Sequence, residues 1–559
     1  MVKRLFAVIG REINGLHEAA YLLAGFALLS QLLALVRDKL LAYNFGAGHD
    51  LDIYYAAFRI PDLIFVSVGS LVSASILLPF FIERFEKGRD EGKKFSNSIF
   101  TVFFGLMIVA SAIAFFLVPY LIPFLLPGFA DDSSLPDLIL SSRIMLLSPF
   151  LLGLSNLFSS VTQMHRRFLV YAASPLFYNI SIIVGIVALY PIFGIAGLAV
   201  GVALGAFFHM AIQIPFMTET RLLPRFTRTI QWPNVKKVIF LSLPRTITLS
   251  ASQLATFFLT ALASLMSKGS IAVFSLSFNL QSVPLTIIGS SYSSAIFPDL
   301  SRLYVQGNRQ EFLEKMIAAA RHIIFWSTPI MVLFIVLRAQ IVRTVLGAGA
   351  FDWADTRLTA ASLAIFMISV IGQSLIVLFV RAFYAEGKTT KPLLINIISA
   401  AVIVILGYVL TKLFFAYPIF RFFLEDLLKV SGQQGTSALV LATAYSIGVM
   451  LNTVLHWWIF HKKFPLFSRP VFSTLFHIFS ASIIMGYAAF LSLRLFVLVF
   501  PLTKVWGVFL QGFCAGLVGL VVGVIVLRIL KNPELQEVWV TLHRKIWKAK
   551  VPPAEVEHI

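Results

Sequence analysis

A chain of 559 residues that is 58% hydrophobic and 13% charged, with a mean hydropathy of +0.89, is excluded from the soluble globular class, where about a quarter of residues carry charge. It is an all-α polytopic membrane protein by composition. The net charge of +19 would suit nucleic acid or the short cytoplasmic loops of a membrane protein, so the placement of the charges decides between them.

In chain order, apolar segments long enough for a bilayer core of roughly 30 Å fall at 17–42, 53–81, 97–127, 138–162, 168–190, 194–217, 238–266, 271–300, 316–337, 358–384, 392–411, 435–460, 471–493 and 505–529. These are numbered spans 1 to 14 below. The even-numbered connections, counted with Arg321 in the first turns of span 9, hold 21 Lys and Arg, and the odd-numbered connections hold 9. This asymmetry places both termini in the cytoplasm and leaves no concentrated basic patch for nucleic acid. Residues 1–18 carry Lys3, Arg4 and Arg11, but the apolar run that follows is too long for a signal-peptide core and lacks a small-residue cleavage site. The basic tail 531–559, with Arg544, Lys545, Lys548 and Lys550, is expected to be solvated.

Self-comparison reveals a repeat. Phe58, Gly69, Ser70 and Ser73 match Phe278, Gly289, Ser290 and Ser293 at one offset, which pairs span 2 with span 8. Pro175, Leu176, Asn179 and Ile180 match Pro392, Leu393, Asn396 and Ile397, pairing span 5 with span 11, and Gly194, Leu198 and Ala203 match Gly435, Leu439 and Ala444, pairing span 6 with span 12. An extra segment at 411–434 absorbs the change of offset and reads as an amphipathic surface helix. Six spans separate each pair, so the copies run in the same direction through the membrane. That is the parallel repeat of transporters whose halves rock about a central site. The expected organisation is two six-helix lobes, 1–230 and 231–465, followed by two additional helices at 466–530 and the tail 531–559.

The motifs of covalent chemistry are missing. Glu386-Gly387-Lys388-Thr389 ends like a phosphate-cradling loop, but Ala382 stands where that loop needs its first glycine. The single Cys514 excludes a disulfide, and the ten histidines show no ligand spacing. No cofactor is expected. What remains is charge inside the spans: Arg37 and Asp38 near the end of span 1, Arg59 in span 2, Arg143 in span 4, Arg245 after Pro244 in span 7, and Arg381 in span 10. An arginine at a helix centre costs roughly 3 kcal/mol on insertion scales, so such residues usually face a bundle interior or a watery cavity. Snorkelling or local pairing explains Arg143 and Arg381 equally well.

The runs VRDKLLAYNFGAGHDLDIYYAAFRIPDL (36–63), VPLTIIGSSYSSAIFPDLSRL (283–303) and VRAFYAEGKTTKP (380–392) resemble the MurJ/MviN family of the multidrug/oligosaccharidyl-lipid/polysaccharide (MOP) exporter superfamily, in an order covering nearly the whole chain. The resemblance implies two lobes flanking a cationic cavity, a groove for a lipid tail at spans 13 and 14, and transfer of the undecaprenyl-diphosphate-linked peptidoglycan precursor, lipid II, across the bacterial inner membrane. The partners implied are that precursor and membrane lipids, and a monomer is expected. This chain departs from the family pattern: Asp62 replaces an Asn, Phe65 and Val66 stand where an Arg pair is usual, Ser70 stands where a Glu is usual, Gln31 replaces an Arg in span 1, and Asn279 replaces an Arg in span 8. Arg37, Asp38, Arg59, Asn279, Arg245 and Arg381 are the expected substrate-binding set, with Asp52 and Asp62 at the gate or rim. Two other readings stay open: a related exporter of another lipid-linked glycan or a small amphiphile, and a membrane scaffold or integral membrane enzyme. Span 7 contains no acidic residue, so the coupling ion, if there is one, is left open.

Overall fold

The structure, a computed structural model, describes residues 16–546 apart from Ser73, Arg166, Leu502 and Thr503. Lys3, Arg4, Arg11, Lys548 and Lys550 lie outside the described residues.

Twelve of the described helices are long and apolar enough to cross a membrane, and they fall on expected spans 3 to 14. Their observed bounds are Arg89–Leu125, Leu135–Met164, Phe168–Phe193, Ile195–Glu219, Trp232–Ser264, Ser270–Val305, Arg309–Val336, Trp353–Ala385, Thr390–Ala416, Ala438–Lys463, Pro465–Phe496 and Val505–Ile529. Span 1 lies within the helix Leu16–Phe45. Span 2 departs from the single helix expected there. It is built from His49–Ala57, Arg59–Ser67, a 3₁₀ turn Gly69–Val72 and Ala74–Glu86.

Local chemistry explains the breaks in span 2. Pro61 has no N–H to return to the Ala57 carbonyl, so the helix stops at Ala57 and restarts at Arg59, with the proline in the tolerated first turn. At Gly69 a Cβ would stand 2.8 Å from the ring of Phe65, so a larger residue there would have to push that ring aside. Its repeat partner Gly289 lies within another irregular stretch, the π turn Leu285–Ser290 after Pro284. There a Cβ would stand 2.8 Å from the Ser374 backbone.

The chain forms two compact units. The first comprises residues 1–280, 345–362 and 389–448, and the second comprises 281–344, 363–388 and 449–559. In the first unit, span 1 packs along span 5, span 4 along span 6, and span 7 along span 11. The pairing of spans 1 and 5 thus recurs six spans later. Small residues allow the close approaches: a Cβ on Gly185 would stand 2.8 Å from the Gly201 backbone. Hydroxyls sew span 2 to span 7. The Ser70 and Thr246 hydroxyls lie 2.8 Å apart, and Ser242 donates to the Leu71 carbonyl at 3.1 Å. The expected surface helix is Pro418–Leu428, which buries Leu424 and Glu425 while Ile419, Phe422, Phe423 and Leu427 stay exposed on the opposite side.

The second unit packs span 13 against spans 9 and 14. Its aromatic core includes Phe379, Phe460 and Phe467. The helix Pro533–Ile546 gives order to the start of the expected tail. Glu534 anchors it, accepting from Arg321 Nε at 2.6 Å and Thr474 Oγ1 at 3.0 Å. Burial alone would push the Glu534 carboxyl up, but these bonds and its backbone contact hold it below the usual carboxylate range.

Candidate functional site

The first unit encloses a cavity of about 350 Å³ lined from spans 1, 2, 5, 7, 8 and 12. Arg37 reaches it from the last third of its helix and Arg59 from the break that Pro61 creates. The break therefore has a consequence beyond local geometry, because it sets a cation at a helix start beside open space.

The two arginines are held differently. Arg37 donates from Nε and Nη2 to one oxygen of Asp38, at 3.0 and 2.8 Å, and from Nη1 to Asn179 Oδ1 at 3.2 Å. The other Asp38 oxygen accepts from Asn279 Nδ2 at 3.2 Å. Asn179 also donates to Ser30 and to the Pro175 carbonyl. One network thus joins spans 1, 5 and 8, and Asp38 within it is 3% exposed. Arg59 makes no ion pair within 4.0 Å among the described residues, and its Nε is buried with no hydrogen-bond partner. Asp62 lines the same cavity.

The wall is aromatic and polar. Tyr54, Tyr55, Tyr178 and Tyr445 line it with Gln253, Phe58 and Phe278, and the Tyr55 hydroxyl is also buried without a partner. Two arginines and two aspartates make the formal charge balance even, unlike the cationic cavity that the resemblance implied. Arg37 is neutralised by its neighbour, so Arg59 is the donor set free for an anion. A guanidinium fork in such a setting fits phosphate oxygens bidentately. At roughly 30 Å³ per water, the space holds about a dozen waters' worth of volume. That admits a phosphate-sized group.

The remaining expected site residues lie elsewhere. Asp52 is 4% exposed and accepts from the backbone N–H groups of Gly269 and Ala272, at 2.5 and 2.7 Å. It caps the start of span 8, as a carboxylate at a helix N-terminus should. Around it, Ala47 N donates to Asp355 at 3.0 Å, Ala350 N to the Tyr43 carbonyl at 2.8 Å, and Gly128 N to Ser264 at 3.2 Å. His49 approaches Asp132 at 3.2 Å. Connections 43–52, 128–137 and 267–270, with the end of 338–357, thus close on one another. Hydrogen bonds from the Ser134 backbone and hydroxyl hold the Asp132 carboxyl well below its ordinary range. Arg245 belongs to span 7 and does not line the cavity. Arg381 belongs to the second unit, its guanidinium 5.8 Å from the centre of the Phe297 ring. Arg143 stacks on Phe115 at 4.7 Å and donates to its carbonyl.

Sequence reasoning missed Asn179 and the tyrosines as site residues. Asn179 was visible only as a repeat marker, and nothing local distinguishes Tyr55 from a core aromatic.

The second unit contains a larger apolar groove of about 1050 Å³. It is lined by Met331 and Val332 of span 9, Ile371 and Gly372 of span 10, Trp457 of span 12, and Phe472 and Phe476 of span 13.

Broken and irregular helices around a polar cavity, in a polytopic chain with a recurring helix pairing, are the architecture of a membrane transporter. A solved inward-facing multidrug transporter of the MATE family within the MOP superfamily shares the fold at a TM-score of 0.63 and 13% identity, covering 78% of this chain and 96% of that one. More narrowly, the chain belongs to the family described as lipid II flippase MurJ, which matches residues 41–511. A solved lipid II flippase MurJ in an inward closed conformation superposes with a TM-score of 0.71 at 21% identity, over 92% of this chain and 100% of that one. The lipid II flippase MurJ of Burkholderia cenocepacia is 25% identical over 406 residues, 71% of this chain and 79% of its own. A probable lipid II flippase MurJ of Buchnera aphidicola subsp. Schizaphis graminum is 26% identical over 470 residues, covering 82% and 86%.

Proposed function

We infer that this chain is a lipid II flippase, moving the polyprenyl-diphosphate-linked precursor from the inner to the outer leaflet by alternating access. Family membership carries the substrate class. The single structural observation that supports it is Arg59, an unpaired guanidinium facing a cavity of phosphate size. The diphosphate is the part of the precursor that this cavity recognises, and Arg37, Asp38, Asn179 and Asn279 hold its wall in shape. No covalent step is assigned to the chain. The protein acts as a monomer in the bacterial inner membrane with both termini in the cytoplasm, a reading supported by the 21 to 9 distribution of basic residues.

Within this reading the lobes are 1–230 and 231–465, and the recurrence of the span 1 and 5 pairing at spans 7 and 11 supports them. The polyprenyl tail occupies the apolar groove of spans 9, 10, 12 and 13. Span 14 backs span 13 from behind, with a Cβ on Gly519 standing 3.0 Å from Ala489. The even balance of arginines and aspartates favours one second reading, a related exporter of a less anionic lipid-linked glycan. Complementation of a flippase-depleted bacterium, with lipid II exposure measured at the outer leaflet, separates the two. Growth without exposed lipid II, or no rescue at normal expression, would count against the flippase.

A further inference from the structure

Sharing no residue with the cavity, residues 93–97 of the helix Arg89–Leu125 and residues 218–225, at and beyond the end of the helix Ile195–Glu219, line a second recess of about 520 Å³. Lys93, Arg221 and Arg225 line it, and among the described residues none of the three makes an ion pair within 4.0 Å. Glu91, on the same helix turn as Lys93, is committed to Lys94 at 3.0 Å and to Gln231. Ser96 faces the recess as well. It is 4% exposed, and its hydroxyl is buried with no hydrogen-bond partner. A buried hydroxyl without a partner is destabilising, so three cations without an ion pair around one describe a site whose anion completes it.

The recess is built rather than draped. The strand of chain behind it is tied to the helix by backbone donors: Arg225 N to Asn97 Oδ1 at 2.8 Å, Thr227 N to Thr101 at 3.0 Å and Gln231 N to Ser98 at 3.1 Å. Arg89 closes the other end, donating to the Thr220 carbonyl at 2.6 Å. These bonds fix where Arg221 and Arg225 leave the backbone. The rest of the wall is Phe85, Val161, Leu222 and Leu223 with Asn97 and Thr218, and those two polar side chains are engaged with backbone groups, so the ligand has a charged end and a carbon body.

We propose that this recess binds a phosphate group carried on an organic body, with Lys93, Arg221 and Arg225 on its oxygens and the Ser96 hydroxyl donating to one of them. The cations supply charge-assisted bonds, the two arginines in fork geometry. The body is a glycerol-sized or larger group seated against the apolar wall. Its source is either an anionic lipid headgroup or a soluble phosphoester, since the recess lies in the two most basic connections of the chain, 82–96 and 219–237.

The test uses the full-length protein in nanodiscs. Native mass spectrometry counts phosphatidylglycerol retained from discs of phosphatidylcholine with and without it, for the natural chain and for a Lys93→Gln, Arg221→Gln, Arg225→Gln variant. Calorimetry in phosphatidylcholine discs titrates glycerol 3-phosphate. Roughly tenfold weaker retention in the triple variant, with competition by glycerol 3-phosphate, is expected if several charge-assisted bonds are lost. Glycerol 3-phosphate binding without phosphatidylglycerol retention would assign the soluble source and keep the phosphate site. Equal retention and equal titration in both proteins would overturn the proposal. Should the triple variant melt early, Ser96→Ala and Lys93→Gln singly, each expected to weaken binding several-fold at an unchanged melting temperature, decide it.

Discussion

Replacing Arg37 and Arg59 separately by alanine should produce opposite phenotypes, although the two residues face one cavity. Arg37→Ala removes both donors from one oxygen of Asp38 and leaves that carboxylate with Asn279 alone. Stranding one partner of a buried pair costs 3 to 5 kcal/mol; the Arg37 side chain is 19% exposed, which puts the expected loss near the lower end, about 3 kcal/mol. Arg59→Ala breaks no ion pair, and loses only the packing of its stem, about 1 kcal/mol or less. Thermal unfolding of detergent-purified protein should therefore show Arg37→Ala strongly destabilised and Arg59→Ala near the natural chain, while lipid II exposure in depleted cells should be lost in Arg59→Ala at normal abundance. Adding Asp38→Asn to Arg37→Ala removes the stranded charge and should recover most of the stability, a coupling typical of residues in one network. Equal destabilisation by the two single variants, or no recovery in the Arg37→Ala, Asp38→Asn double variant, would refute the contrast between a structural and a substrate-facing arginine.

The folded pKa of Asp132 lies below its unfolded value, so its stabilisation is complete above about pH 4 and fades as pH falls through the lower folded value. The gap in melting temperature between the natural chain and Asp132→Asn should be open at pH 7 and shrink below about pH 4; a gap independent of pH would contradict the assignment. Arg321→Met leaves Glu534 buried with Thr474 and Asn532 as its remaining side-chain partners and should raise hydrogen exchange across 533–546 while sparing the core of spans 9 and 13. Topology tags after Glu91, Arg228 and Lys463 should report the cytoplasm and tags near Asp132 and Gln433 the periplasm, and a periplasmic signal from 219–237 would break the orientation.

Spans 3 to 14 were legible because each is an apolar run whose length the bilayer dictates, a property that needs no tertiary information. The irregular turns at Gly69 and Gly289 were legible for a related reason, since the two glycines are matched markers in the sequence and both fall where a Cβ would crowd a neighbour. Span 2 was misread as one helix because hydropathy averages over Pro61, whose missing N–H acts on a single carbonyl. Arg37, Arg59, Asp38 and Asn279 could be named from the sequence as charged or polar residues in apolar segments, but their division of labour could not. Asp38 meets Asn279 across 241 positions and Arg37 meets Asn179 across 142, and Asp52 proved to be the cap of a helix that starts more than two hundred residues later. By itself the sequence determined that the chain lives in a membrane, where spans 3 to 14 fall and which residues carry costly charge, because transfer from water to lipid is a local, additive property of side chains. Only the tertiary structure decided which arginine is neutralised and which is left to meet a ligand, because the pairing of buried charges depends on the few ångströms between groups that the chain brings together from distant positions.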